Sequence, residues 1–271
     1  MDRIDGRTAF VTGGASGIGL AVTEALVAEG ARVAVADWNA TSLEGQTARL
    51  GPSVLAVELD VRDRAGWQQA KRTTEDTFGP IDILFNNAGV GPDQNELADM
   101  PPEHFDRLIA IMLTGIFNGI HTFAAGIRDR AEGHIVNTAS MAGLVASARL
   151  GAYTAAKFAV VGMTEVLRAE MEPHGVGISV LCPGLVRTNL GSDNPNSTVA
   201  ERQAAFAAGI DPSLVGVQVV EAIRRNDLYV ITHGEYGPAV DQRSARLHRA
   251  FDDAPRRGSG DDLPGTQVAK T

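Results

Sequence analysis

Tyr153 and Lys157 stand four residues apart in the run Gly151-Ala-Tyr-Thr-Ala-Ala-Lys157, and Ser140 lies thirteen residues ahead of the tyrosine. On a helix, side chains at i and i+4 are stacked neighbours with Cβ atoms about 5–6 Å apart. An ammonium held there favours phenolate over phenol. An ordinary tyrosine, with a pKa of about 10, must fall by a few units to act as a base near neutrality, at about 1.4 kcal/mol per unit. Both residue types are scarce, since the chain has three tyrosines and only Lys71, Lys157 and Lys270 as lysines. Taken alone, the pair also reads as a surface helix that happens to carry both, so the surrounding motifs must decide.

A second chemical feature lies at the start of the chain. The apolar stretch 8–11 runs into Thr12-Gly-Gly-Ala-Ser-Gly-Ile-Gly19 and then into the amphipathic segment 20–29, a strand, turn and helix in succession. Gly13, Gly17 and Gly19 let the backbone approach a pyrophosphate closely. Together with Ser16 and Ile18 they stand where a helix N-terminus offers free N–H groups and a favourable dipole. Asp37, about 20 residues beyond the glycines, ends the next apolar run and can accept hydrogen bonds from a ribose while repelling the 2′-phosphate of NADP. Neither Trp38 nor the loop supplies a cation to offset that repulsion, so NAD is favoured as cofactor. A tight turn and a solvated strand-end aspartate are the plainer readings of these two features.

Composition narrows the alternatives. With 271 residues, 44% of them hydrophobic, and 30 glycines, the chain can build one large α/β domain. A net charge of −9 without a basic cluster argues against nucleic acid as partner. Cys182 is the single cysteine, which excludes an internal disulfide, and no CxxC or HExxH pattern suggests a metal. The opening residues Met-Asp-Arg-Ile-Asp-Gly-Arg lack the apolar stretch of a signal peptide. No uninterrupted apolar run of about 18 residues offers a membrane span, so a soluble protein in a reducing cytoplasm is expected.

The elements that must position these residues are legible as alternation. Seven short aliphatic or β-branched runs, at 8–11, 32–36, 53–59, 81–85, 134–137, 177–181 and 228–231, are separated by longer helix-like segments. Continuous apolar runs suit strands covered on both faces, and helices between them imply parallel strands with right-handed crossovers in a doubly wound α/β sheet. Gly30 follows the first helix, Asp63 is placed to cap the third, Pro101-Pro102 opens the fourth, and Pro173-His-Gly175 closes the helix carrying Tyr153. From residue 252 the chain turns polar and rich in Gly, Pro and Asp, as a disordered or partner-bound tail would be.

The glycine loop, Asn86-Asn87-Ala88-Gly89, Ser140, Tyr153 with Lys157, and Pro183-Gly184, taken in this order, resemble the short-chain dehydrogenase/reductase family. The resemblance covers roughly residues 7–231. It implies a single Rossmann-type domain, a doubly wound seven-stranded parallel sheet with helices on both faces, assembled as a homotetramer or homodimer. The implied activity is oxidation of an alcohol or reduction of a carbonyl. Tyr153 would be the acid/base, and Ser140 would hydrogen-bond the same substrate oxygen. Lys157 would lower the Tyr153 pKa and hold the nicotinamide ribose. Asp60 and Val61 would take the adenine edge, and Asn87, Ala88 and Gly89 would line the cofactor cleft. Val186 and Thr188 would meet the carboxamide beyond Pro183 and Gly184. The catalytic domain would span residues 1–251, with a substrate lid at about 189–214 and the tail at 252–271.

One position departs from the family pattern. Where many members carry an asparagine in Asn-Leu-x-Gly, holding a water that links the lysine to solvent, this chain reads Ile111-Met112-Leu113-Thr114-Gly115. A thioether is a poor hydrogen-bond partner, so the side-chain part of the relay is lost while the backbone carbonyl remains available. Relay through main chain and water, or weakened turnover, are the two consequences. Asn118, six residues later and near the opposite helix face, is a poor stand-in.

The six histidines and Cys182 read as structural, Trp38 as an ordinary partly buried tryptophan or an adenine cover, and the arginines of 243–249 as a solvated or subunit-facing stripe. Val90, Met112, Met141, Leu144, Val145, Leu150 and Leu185 suggest an apolar substrate floor for a bulky aromatic or alicyclic secondary alcohol or ketone. Arg149 either recognises an anionic group or faces solvent. A 3-oxoacyl thioester reductase is the alternative enzyme. An NAD-binding regulatory protein with weakened catalysis is the alternative of another class.

Overall fold

The seven apolar runs all become strands, because aliphatic and β-branched side chains fit a surface buried on both faces. The computed structural model describes residues 1, 3–190 and 196–255, so that 191–195 of the expected lid and 256–271 of the expected tail lie outside the described residues. In chain order the elements are β1 (Thr8–Thr12), α1 (Gly17–Ala28), β2 (Arg32–Asp37), α2 (Ala40–Leu50), β3 (Val54–Glu58), α3 (Arg64–Phe78) and β4 (Ile83–Asn86). There follow α4 (Pro102–Ile109), α5 (Gly115–Asp129), β5 (Gly133–Thr138), α6 (Gly151–Met171) and β6 (Val176–Cys182). The last are α7 (Val199–Ala208), α8 (Pro212–Arg225), β7 (Tyr229–Ile231) and α9 (Gly237–Asp252).

The strands form one seven-stranded sheet in the order β3-β2-β1-β4-β5-β6-β7, with every neighbouring pair parallel. The winding direction reverses between β1 and β4, where the loops leaving two adjacent strands diverge and open a crevice. Alternation along the central strands feeds two cores. Ala9, Val11, Val33 and Val35 face a layer built from α1 and α8, whereas Phe10, Ala34 and Ala36 face a layer built from α3, α5 and α6. In the second layer Phe10, Trp67 and Phe123 form an aromatic cluster with ring centroids 4.9–6.0 Å apart. The sheet and its helices make a Rossmann-type domain within the compact unit Met1–Gly234. The described part of the second unit, from Glu235 onward, is a short 3-10 turn and α9.

Helix punctuation follows local chemistry. The Asp63 carboxylate accepts from the Ala65 backbone N–H at 2.9 Å and caps α3, and Pro102 opens α4. Gly175 adopts a φ of +74° just after α6, a conformation that glycine enters without a Cβ penalty. Between α4 and α5, residues Ala110–Thr114 form a π turn in which the Gly115 N–H reaches back to the Ala110 carbonyl. The continuous helical run Pro102–Asp129 is long and apolar enough to cross a membrane, by length and composition, although it contains no uninterrupted apolar run of about 18 residues. Half of its most apolar window is buried inside the protein, as in a core helix. The expected polar lid contains a regular helix, α7, with a capping box between Thr198 and Glu201.

His134, the second residue of β5, is fully buried, and its Nε2 lies 2.8 Å from Ser179 Oγ, which itself donates to the Asp227 carbonyl at 2.5 Å. Burial, aided by the N-terminal ammonium and Arg168, pushes this imidazole down from 6.5 to about 3. The folded state keeps His134 neutral, while the unfolded chain takes up a proton below pH 6.5. Its contribution to stability is therefore complete above 6.5 and is lost as the pH falls towards 3. Between pH 7 and pH 5 the loss is expected to be about 2 kcal/mol, and His134→Gln should remove that increment. Denaturant titrations of both proteins at the two pH values check this; an equal loss in the variant would place the acid sensitivity elsewhere.

Candidate active site

The crevice at the β1/β4 reversal is a cavity of about 420 Å³. One end is made by the glycine loop. Gly13 and Gly17 take φ values of +61° and +52°, open to glycine without strain. A Cβ on Gly13 would lie 3.0 Å from Ala88 Cα, and one on Gly17 would lie 3.1 Å from Thr188 Cγ2, so bare backbone is what allows the loop to close against its neighbours. Ser16 stands at the start of α1 in extended conformation and makes no side-chain capping bond, leaving its hydroxyl and the first-turn N–H groups for a ligand. Gly13, Ser16, Gly17 and Ile18 all line the cavity.

Asp37 is held in place on the same wall. Its Oδ2 accepts from the Ala15 N–H at 3.3 Å and its Oδ1 from the Asn39 N–H at 3.1 Å. Asp60 and Val61 follow β3 onto the wall, with both Asp60 oxygens engaged by Arg62 at 2.6–3.0 Å. The hydrogen bonds from Arg62 outweigh the effect of burial and hold the Asp60 carboxyl below its ordinary value. Asn87 ties the strand ends together: its backbone N–H donates to Thr12 Oγ1 at 2.8 Å and its Nδ2 to the Thr12 carbonyl at 3.1 Å. Asn87, Ala88 and Gly89 complete this part of the wall, with Pro183 and Thr188 across from it.

At the other end are Tyr153 and Lys157, in the first two turns of α6. Ser140, just after β5, starts the 3-10 turn Met141–Gly143, and its Oγ accepts from the Ala142 N–H at 3.1 Å. This turn packs on α6 backbone to backbone, since a Cβ on Gly143 would lie 2.7 Å from the Lys157 carbonyl oxygen. Lys157 is 4% exposed; its Nζ donates to the Thr138 carbonyl at 2.9 Å and lies 5.7 Å from the centre of the Tyr153 ring.

Burial dominates the electrostatics here. It pushes Lys157 down to about 8, opposed by the nearby Cys182, and it raises Tyr153, opposed by a hydrogen bond with Ser140. In this geometry the Lys157 ammonium is turned to the Thr138 carbonyl. Cys182 is buried as expected, and burial pushes its thiol up to about 12.

Four of the sequence candidates stand off the cavity wall. Ser140 lies just behind it. Gly19 is inside the buried face of α1, where a Cβ would lie 2.1 Å from the Gly13 oxygen. Gly184 donates its N–H to Thr232 Oγ1 and His233 Nδ1, both at 3.2 Å, and Val186 forms a lone parallel bridge with Ile210.

The structure also adds to the wall and corrects it. Leu59, Arg62, Arg107, Ile111, Thr138 and Ala139 line it without having been expected, because their place depends on how separate loops converge, while Asn189 and Leu190 reach it from the expected lid. Trp38 is not partly buried: it is 75% exposed at the cavity rim, which a tryptophan directly after the Asp37 strand end could have signalled. Of the expected substrate floor, Val90 and Met112 are on the wall. Met141 is buried, Leu144, Val145 and Leu150 are partly buried, and Leu185 is exposed. Met112 sits in the π turn, fully buried against Leu108, Ala152, Ala156 and Tyr153. Asn118 is no stand-in for it, because its amide is committed to the Val61 carbonyl at 3.0 Å. Arg149 is exposed, and its Nε is bonded to the Gln94 carbonyl at 3.0 Å.

Comparison with known proteins follows the same pattern. A model of the short chain dehydrogenase family matches residues 7–198. The chain is 40% identical over 185 residues to sorbitol dehydrogenase of Cereibacter sphaeroides, covering 68% of this chain and 72% of that protein. It is 36% identical over 221 residues to 2,5-dichloro-2,5-cyclohexadiene-1,4-diol dehydrogenase of Sphingobium indicum, covering 81% and 85%. A short chain dehydrogenase/reductase from Burkholderia phymatum, solved in complex with NAD, superposes with a TM-score of 0.86 at 30% identity, over 96% of this chain and 99% of that one.

Proposed function

The chain belongs to the short-chain dehydrogenase/reductase family, whose members interconvert alcohols and carbonyls, and on that premise we propose an NAD-dependent dehydrogenase of a bulky secondary alcohol. The observation that carries this reading is one crevice with Asp37 and a glycine-cradled helix start at one end and Tyr153 with Lys157 at the other. Gly13, Ser16, Gly17 and Ile18 would hold the pyrophosphate, Asp37 the adenosine ribose, and Asp60 with Val61 the adenine edge. Asn87, Ala88, Gly89, Pro183 and Thr188 would form the rest of the bed. Once bound, NAD supplies a hydride acceptor.

The chain's own residues manage the proton. Tyr153, a phenol at neutral pH whose ionisation burial pushes higher still, would donate it to a ketone oxygen, or receive it from an alcohol when the pH is raised. Ser140, whose Oγ donates to the Pro183 carbonyl at 3.4 Å from just behind the wall, would turn to hydrogen-bond the same substrate oxygen. Lys157 presents a cation beside the ring, anchored on the Thr138 carbonyl. Ile111, Met112, Val90 and Leu190 on the wall support an apolar substrate, and the similarity to a cyclohexadiene-diol dehydrogenase supports an alicyclic one. Exposed Phe105, Phe117 and Val166 on α4, α5 and α6 support assembly of copies as a homotetramer or homodimer.

NAD is preferred in this reading because Asp37 is fixed on the wall by two backbone N–H groups, and the charge of the neighbouring Arg62 is matched by Asp60. Purified protein incubated with NAD and a panel of alicyclic and aryl alcohols is expected to form NADH, with NADP a poor substitute. Asp37→Asn should narrow the NAD-over-NADP ratio of kcat/KM by about tenfold or more. Wild-type protein that uses NADP as well as NAD, or forms no reduced cofactor across the panel, would overturn the reading.

A further inference from the structure

Val61 follows β3, and its carbonyl is the meeting point of two side-chain donors from different helices. Trp67 Nε1, on α3, donates to it at 2.9 Å, and Asn118 Nδ2, on α5, donates at 3.0 Å. Both donors are buried, at 1% and 2% exposure, and neither reaches the cavity wall. Arg64 Nε donates to Asn118 Oδ1 at 3.1 Å, which leaves the amide nitrogen as the side that faces Val61. Gly115 lets α5 close on the loop, since a Cβ there would lie 2.8 Å from Val61 Cγ2.

Packing alone does not call for this arrangement. A buried amide must be paired to avoid a desolvation cost, and a leucine on the core face of α5 would fill space without that requirement. The paired donors occupy both acceptor directions of one carbonyl and so restrict rotation of the Val61 peptide. That peptide belongs to the wall segment Leu59, Asp60, Val61 and Arg62. A loop ordered before its ligand arrives binds with less entropic loss.

We propose that Asn118 and Trp67 are positioning residues for the adenine end of the dinucleotide, acting through the Val61 carbonyl; this rests on the assignment of Asp60 and Val61 to the adenine edge. ADP-ribose, which carries the adenosine but no nicotinamide, is the probe, with binding measured by calorimetry. Asn118→Leu and Trp67→Phe are each expected to weaken it about tenfold. Under turnover, KM for NAD should rise by a similar factor while kcat stays within about twofold. Trp67→Phe keeps an aromatic ring against Phe10 and Phe123, so it tests the lost N–H if the Asn118 variant does not fold. A lower melting temperature with unchanged ADP-ribose affinity would show a merely structural role and overturn the proposal. Wild-type protein that fails to bind ADP-ribose would instead remove the dinucleotide reading and this inference with it.

Discussion

Tyr153→Phe is expected to lower kcat by about a thousandfold while NAD affinity changes little. The substitution removes one hydroxyl and keeps the ring, so the packing with Leu108, Met112, Ala152 and Ala156 survives, as does the approach of Lys157 Nζ to the ring. What is lost is the proton donor and acceptor, because Ser140 Oγ stands behind the wall and Lys157 Nζ is bonded to the Thr138 carbonyl. The pH dependence carries a second test. Burial raises Tyr153, so alcohol oxidation in the wild type should quicken as the pH rises towards its ionisation, by about tenfold per unit on the acid limb of kcat/KM. The residual rate of the variant should show no such limb. Steady-state rates across pH, with NADH titrations for affinity, measure both; a Phe variant that turns over like the wild type would remove Tyr153 from the chemistry.

The second large effect is expected at Gly19, which never touches the cavity. An alanine Cβ would lie 2.1 Å from the Gly13 carbonyl oxygen and 2.7 Å from Asn87 Nδ2, so relief requires movement of the loop backbone itself. That movement breaks the hold of Asn87 on the Thr12 carbonyl and opens the turn between β1 and α1. Gly19→Ala should cost about 1–3 kcal/mol of stability through overpacking. It should also weaken NAD by roughly thirtyfold or more, because the N–H groups of the loop no longer converge. Gly45→Ala is the control: nothing lies within 4 Å of its Cβ direction, and it sits exposed inside α2, where alanine favours the helix. Melting curves and cofactor titrations of the pair separate the effects, and a Gly19→Ala protein that binds NAD normally would refute the account of the turn.

Much of this was legible in local pattern. All seven strands fall within two residues of the apolar runs, since burial on both faces demands continuous apolar sequence. The glycine loop, Asp37, Asn87, Tyr153, Lys157 and Thr188 reach one cavity as expected. Trp38 was misjudged because exposure belongs to the rim of a crevice and not to residue type. The path of 189–214 was only half read, as its polar composition did not reveal the capping box that starts α7.

The sequence by itself determined whatever repeats over short range: the strand and helix periods, the glycines that permit positive φ, and the i,i+4 stacking of Tyr153 with Lys157. Only the tertiary structure decided the rest. It brought Gly13 against Ala88 across the β1/β4 boundary, turned the Lys157 ammonium to Thr138, and joined Trp67 and Asn118 on the Val61 carbonyl. It also set the direction of the Tyr153 and Lys157 shifts through burial. Desolvation and long-range contacts depend on what surrounds a group in three dimensions, and no spacing along the chain encodes that directly.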